Sequence, residues 1–264
     1  MGVDILFAAA MVGGVGLFVG IFLSIAGKRF AVEVDEREAA VIEALPGANC
    51  GACGYSGCAA LAAAIVKGEA PVNACVVGQA PVAEAVADIM GGDADTDAVR
   101  MVAFVHCIGD CENTADKYDY SGGETSCSVI SFSPGKGPKS CAYGCMGYGD
   151  CVNVCEYGAI SIVNGIAKVD PDKCVDCKKC IKTCPKKVIS EVPYDKAIAI
   201  GCASLDRGKP VIDACKLGCI ACTKCVQTCP KQAIEMQGNI PVIDYDKCVK
   251  CGLCKKNCPR KCIV

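Results

Sequence analysis

Cys174, Cys177, Cys180 and Cys184 stand as C-x-x-C-x-x-C-x-x-x-C with Pro185 behind them. The same string recurs from Cys219 to Pro230 and from Cys248 to Pro259. At this spacing three thiolates hold one 4Fe-4S cluster, and the fourth, before the proline, reaches across to the other cluster of a pair. A disulfide framework suits a small secreted chain, and structural zinc suits isolated C-x-x-C pairs. Neither accounts for a third cysteine, a fourth three residues further on and a proline after it.

The crossing rule demands motifs in twos, and they are present in register. Cys145, Cys151, Cys155, Cys174, Cys177, Cys180 and Cys184 each have a counterpart 74 residues on, at Cys219, Cys225, Cys229, Cys248, Cys251, Cys254 and Cys258. The spacing therefore predicts two tandem ferredoxin-like modules. The first half of the first module departs from the pattern: Tyr148 stands where the second has Cys222, and Glu156 replaces the proline. Cys141 is expected to fill the vacancy. The expected ligand sets are Cys141, Cys145, Cys151 with Cys184; Cys155 with Cys174, Cys177, Cys180; Cys219, Cys222, Cys225 with Cys258; and Cys229 with Cys248, Cys251, Cys254.

A chain of 264 residues has room for several small domains, and 26 of its residues are cysteine while tryptophan is absent. Clusters must then replace aromatic core as a source of stability, because metal binding to unformed ligands is itself folding free energy. So many free thiols need a reducing compartment, which places the cysteine-rich part in the cytoplasm. The net charge of -2 carries little as a total, and no nucleic-acid partner is expected. Its distribution says more: Lys173, Lys178, Lys179, Lys182, Lys186 and Lys187 crowd around one motif, and Lys247, Lys250, Lys255, Lys256, Arg260 and Lys261 around another.

The elements that must position these cysteines can be read from the N-terminus. Residues 5–27 carry no charge, and Lys28 and Arg29 follow them. In a helix this run is long enough to span a hydrocarbon core, and the basic pair puts its C-terminal side in the cytoplasm. The expectation is a single-pass anchor in the plasma (inner) membrane. Residues 32–47 read as an acidic amphipathic helix that lifts the next domain clear of the membrane. That domain holds Cys50, Cys53, Cys58 and Cys75, with glycines that let the backbone wrap closely and a helix between Cys58 and Gly68. A fifth 4Fe-4S cluster is expected there, zinc being the other reading. A short helix and a polar linker follow, then two apolar runs, residues 99–105 before His106 and Cys107 and residues 197–200 before Gly201 and Cys202, which could pair in one small sheet. Cys107, Cys111 and Cys127, with Cys202 or Cys215, could make a sixth cluster; Cys262 and His106 have no assigned role. The fold class is thus α+β: an N-terminal transmembrane helix (1–29), a small 4Fe-4S domain (30–77), a helix and linker (78–98), a cysteine-containing insertion (99–140), a first ferredoxin-like ββ/αα module (141–196), a connecting strand (197–214) and a second module (215–264).

No glycine-rich phosphate loop and no nucleophile–base pair is visible, so the chain has no substrate-catalytic residues of its own. The order of anchor, LPGANCGACGYSGCAALAAAIVKGEAP to Cys75, and ferredoxin modules resembles the B subunit of the Rnf electron-transport complex over essentially the whole chain. VAFVHCIGDC, KSCAYGCMGYGDCV and ACKLGCIACTKC look like the longer, two-module form. The resemblance implies a subunit of an ion-translocating ferredoxin:NAD oxidoreductase, a membrane complex moving Na+ or H+. It further implies reduced ferredoxin as electron donor, other membrane and peripheral subunits as partners, and five or six 4Fe-4S clusters as cofactors. Two other readings stand beside it: the iron-sulfur subunit of another membrane hydrogenase or dehydrogenase, and a cluster-bearing redox sensor. Many clusters in one chain favour a wire, since a sensor needs one.

Overall fold

The computed structural model describes residues 2–29, 35–92, 99–120, 123, 126–195 and 198–264, with backbone only for 2–10, 12 and 28. Helix α1 (Gly2–Arg29) is 28 residues long, and every large apolar side chain on it from Val15 to Ile25 is exposed. Much of the expected membrane span falls on residues whose side chains are outside those described; among the described residues no helix is long and apolar enough to cross a membrane.

The N-terminal domain is three helices, α2 (Glu36–Ala44), α3 (Cys58–Val66) and α4 (Gln79–Met90). Asp35 caps α2 by accepting the Arg37 N–H at 2.9 Å. Gly91, in the left-handed conformation at φ 69°, ends α4. The three pack through Val41, Leu45, Leu61, Ile65 and Val86, all nearly solvent-free. Helix α2 is therefore part of this core: Val41 on the helix and Leu45 at its C-terminal cap find their burial against α3 and α4.

Strand β1 (Met101–Val105) leads into the first module, which also contains α5 (Cys127–Ile130), α6 (Asp150–Asn153), the hairpin β2 (Ile160–Val163) and β3 (Ile166–Val169), α7 (Lys179–Thr183) and β4 (Ile189–Pro193). Helix α8 (Lys209–Ala214) joins it to the second, built from α9 (Lys224–Thr228), the hairpin β5 (Ile234–Gln237) and β6 (Ile240–Ile243), and α10 (Leu253–Lys256). The expected pairing of the two apolar runs is not formed. β1 lies antiparallel to β4, with Val105 opposite Ile189, while Ile200 bridges Ile263; Lys196 and Ala197 lie outside the described residues. Each run thus closes the sheet of its own module, because Ile189 and Ile263 occupy the same place in the 74-residue repeat. Within the segment 99–140, expected as a cysteine-containing insertion and strand region, β1 pairs with β4 of the first module. His106 joins the two systems, its Nδ1 2.7 Å from the Ile200 carbonyl oxygen and its Nε2 2.6 Å from the Ser190 hydroxyl. With both ring nitrogens engaged, it is structural.

Candidate metal centres

The cluster loops share one backbone. Gly147 and Gly149, Asp176 and Lys178, Ala221 and Thr223, Lys250 and Gly252 all have positive φ, between 55° and 86°. These are equivalent positions in the four loops. Left-handed residues are costly outside glycine and persist where the surroundings over-determine them. The loop with Tyr148 in place of a cysteine keeps the same conformation, so its backbone still wraps a bulky group.

The thiols line shared cavities. Cys155, Cys174, Cys177 and Cys180 surround one of about 330 Å³, and Cys229, Cys248, Cys251 and Cys254 one of about 360 Å³, as the spacing predicts. Cys219, Cys222 and Cys225 are electrostatic neighbours, and Cys262 lies against both Cys219 and Cys258, 3.6 Å from the latter's sulfur. In the N-terminal domain Cys75 is close enough to Cys58 and Cys53 to feel their charge. Asn49 Oδ1 accepts the Cys58 N–H at 2.8 Å, fixing the start of α3. Among the described residues no three Cys, His, Asp or Glu side chains converge as a single bound ion requires. Sulfurs spread around a cavity suit a larger group.

The structure differs from expectation at Cys141. The cavity bounded by Cys145, Cys151 and Cys184, about 380 Å³, has Cys127 as its fourth thiol. Cys141 instead lines a cavity with Cys107, Cys202 and Cys215. Cys111, expected beside Cys107 and Cys127, is exposed and lines neither cavity.

Backbone N–H groups point at the sulfurs throughout, from Ala103 to Cys174 at 3.3 Å, Ala167 to Cys145 at 3.4 Å, Ala233 to Cys229 at 3.3 Å and Cys219 to Cys202 at 3.3 Å. Such donors favour the anionic thiolate. Burial acts the other way in the metal-free protein, pushing Cys151 and Cys180 up to about 12 and Cys107 up to about 11. Cys219 is lowered instead, by the hydrogen bond it takes from the Cys262 thiol.

What places Cys127 is a single carboxylate. Asp150 Oδ1 accepts the Cys127 N–H at 2.9 Å, and Oδ2 accepts the Ser128 N–H at 2.9 Å and the Ser126 and Ser128 hydroxyls. Burial raises the Asp150 pKa, but the donors of Ser128, Cys127 and Ser126 outweigh it and hold the group below the usual carboxylate range. Its stabilisation is present above the unfolded value of about 3.9 and lost as pH falls through the folded one. Asp150→Ala is expected to cost about 2 kcal/mol and free the Cys127 loop, so iron per chain should fall by about four atoms. Asp150→Asn, which keeps one acceptor, should lose less. Iron analysis of both variants checks this; full iron in the alanine variant would count against it.

Known families match the same regions. Residues 45–77 match a family described as "Putative Fe-S cluster", and residues 140–188 and 218–262 match the 4Fe-4S dicluster domain. The B subunit of the Na(+)-translocating ferredoxin:NAD(+) oxidoreductase complex of Acetobacterium woodii is 48% identical over 92% of this chain and 73% of its own length. The B subunit of the proton-translocating ferredoxin:NAD(+) oxidoreductase complex of Clostridium ljungdahlii is 40% identical over 89% and 82%. The B subunit of an ion-translocating oxidoreductase complex of Methanosarcina acetivorans is 38% identical over 90% of each chain.

Proposed function

The chain belongs to the B-subunit family of ion-translocating ferredoxin:NAD(+) oxidoreductase complexes, and from this we propose that it carries electrons from reduced ferredoxin to partner subunits that reduce NAD. The observation that carries the reading is that four thiols line each of three cavities, at Cys127–Cys184, Cys155–Cys180 and Cys229–Cys254. Five ligand sets follow: Cys50, Cys53, Cys58, Cys75; Cys155, Cys174, Cys177, Cys180; Cys127, Cys145, Cys151, Cys184; Cys219, Cys222, Cys225, Cys258; and Cys229, Cys248, Cys251, Cys254. A 4Fe-4S cluster, when bound, takes up and gives back one electron. The residues around it exclude water, supply N–H donors to the sulfurs and fix the distance between neighbouring sites. Cys50 lies within electrostatic reach of Cys177, with Tyr157 close to both, so the N-terminal domain meets the first module at its 155–180 site.

We assign the donor to the second module on the charges around it. Around the first, three lysines are engaged, Lys178 with Glu191 at 2.8 Å, Lys179 with Glu156, and Lys186 with the carbonyls of Lys136 and Ala142, while Lys182 and Lys187 are exposed with no ion pair among the described residues. Around the second, Lys250 pairs with Asp195 and Arg260 donates to the Cys215 and Gly218 carbonyls. Lys255 and Lys256, in the last turn of α10, are exposed with no ion pair among the described residues. Exposed Val249 and Leu253 lie next to them. A basic rim around an apolar patch fits a small acidic protein, and complementary charge acts mainly on the encounter rate. Lys255→Glu with Lys256→Glu is expected to slow reduction by ferredoxin about ten-fold at low salt and less as salt rises, with iron content unchanged. Stopped-flow reduction checks it. Equal, salt-independent rates would place the donor elsewhere, and a chain that ferredoxin cannot reduce at all would overturn the wire.

The exposed apolar face of α1 supports the anchor, since a soluble helix does not leave Leu17, Phe18, Phe22 and Leu23 all uncovered. We take residues 1–29 as a single span of the plasma membrane with the cysteine-rich part cytoplasmic. The full chain should stay with the membrane after an alkaline wash, while a chain lacking residues 1–29 should be released with its iron intact. Retention of the shortened chain in membranes lacking its partner subunits would mean that the lipid contact lies elsewhere.

A further inference from the structure

The cavity of about 500 Å³ bounded by Cys107, Cys141, Cys202 and Cys215 belongs to neither dicluster region as a whole. Two of its thiols come from before the first module or from the connecting segment, and two from the turns that open the modules. It encloses about the same space as the cavities of the regularly spaced sets. Its four cysteines form two related pairs. Cys141 and Cys215 are 74 residues apart, each four residues before the first cysteine of its module. Cys107 and Cys202 each stand two residues beyond the strand residue, Val105 or Ile200, that pairs with Ile189 or its repeat counterpart Ile263. The site therefore sits where the two modules face one another, built half by each.

Three of the sulfurs border the same two glycines. A Cβ placed on Gly144 would lie 3.4 Å from the Cys107 sulfur and 3.5 Å from that of Cys141; one on Gly109 would lie 3.0 Å from that of Cys215 and 3.9 Å from that of Cys107. Backbone N–H groups of Cys145 and Gly109 serve Cys107, and those of Cys219 and Ser204 serve Cys202. Two further side chains point to a charged occupant. Thr114 is 5% exposed, lines the cavity, and its hydroxyl has no hydrogen-bond partner among the described residues. Lys139, 7% exposed, lines the same cavity with its Nζ 2.8 Å from the Gly165 carbonyl oxygen. An unpaired buried hydroxyl and a buried cation are both costly without an anionic group to face.

We propose that Cys107, Cys141, Cys202 and Cys215 hold a sixth 4Fe-4S cluster that joins the two modules into one electron path. Its neighbours are in contact on both sides: Cys107 takes the Cys145 N–H, and Cys202 takes the Cys219 N–H. One electron at a time would pass through it, its core going from 2+ to 1+ as the Cys219 site returns from 1+ to 2+, and then back as the Cys145 site is reduced. The proposal rests on the wire reading, but its test counts clusters and does not need ferredoxin.

Native mass spectrometry of the anaerobically purified full chain should find six 4Fe-4S cores, hence about 24 iron atoms. The double variant Cys141→Ser/Cys215→Ser should hold five, about 20 iron atoms, with the electron paramagnetic resonance signals of the others retained. Cys111→Ser, which removes an exposed thiol that does not line this cavity, should keep six. A parent chain with five cores, a parent with one zinc and five cores, or a double variant that keeps six would each overturn the proposal. If the double variant fails to fold, the count on the parent still decides. Failure of ferredoxin to reduce a six-core chain would leave the site standing and remove the donor assignment.

Discussion

Protein stripped of iron under anaerobic conditions is expected to lose nearly all the structure between Met101 and Val264. The reason lies in how little of that region could stand without a bound group. Among the described residues its sheets are three separate two-stranded pairs, and its α-helices run from four to six residues. An isolated hairpin is marginal in water, and a helix of that length is far below what propensity alone sustains. Both module cores count cysteines among their buried members: Cys145, Cys151, Cys174 and Cys180 in one, Cys219, Cys225, Cys254 and Cys262 in the other. Ligand binding that organises such a site is worth about 10–16 kcal/mol for a structural zinc, so one site alone matches the whole stability of an ordinary domain, about 5–15 kcal/mol. Far-UV circular dichroism before and after chelation is the measurement. The three-helix core around Val41, Leu61 and Val86 holds its apolar contacts without the thiols and should persist longest. A cooperative melt of the modules in the iron-free protein would show that packing alone folds them.

Gly147→Ala is expected to be the most damaging substitution that leaves every cysteine in place. The residue has φ +81°, where an added methyl group costs about 1–2 kcal/mol. The methyl would also meet backbone: its Cβ falls 2.3 Å from the Gly165 carbonyl oxygen and 2.8 Å from the carbonyl carbon. Gly165 cannot retreat easily, because it closes the β2–β3 hairpin and its carbonyl accepts the buried Lys139 ammonium at 2.8 Å. The combined cost should exceed about 4 kcal/mol, in the range reserved for a broken core or site. Gly149→Ala supplies the comparison. It sits in the same loop at φ +86°, but its Cβ would touch nothing closer than 3.9 Å, so it carries the conformational cost alone. Cluster loss in guanidinium, followed as the decay of the iron-sulfur absorbance, should be far faster for Gly147→Ala. Unfolding of a cluster protein is not a two-state equilibrium, so the comparison is one of rates. Equal decay of the two variants would mean that the hairpin gives way freely.

The ligands that lie close together along the chain are legible in the sequence alone. A C-x-x-C-x-x-C loop forms its site from a single stretch of backbone, which is why the 155–180 and 229–254 cavities contain the thiols their spacing names. The 74-residue repeat is equally plain, and it extends to the left-handed residues of each loop. Helices α2, α3 and α4 are each legible as helical stretches in the sequence, though not where α2 buries its apolar face. What the spacing could not decide was the choice between Cys127 and Cys141 for the place left by Tyr148. Cys141 is nearer in sequence, but proximity along the chain does not set the direction of a sulfur. The Asp150 carboxylate draws the Cys127 loop onto α6, and Gly144 and Gly109 open the space into which Cys141 and Cys215 turn. Nor could strand pairing be read: residues 99–105 and 198–200 are both apolar runs ending near a cysteine, and either could have joined the other. Each closes its own module instead, so that Cys107 and Cys202 arrive together with Cys141 and Cys215 at a contact between modules. Four cysteines from four distant segments carry no local spacing rule, and only the packing of one module against the other could bring them to one place.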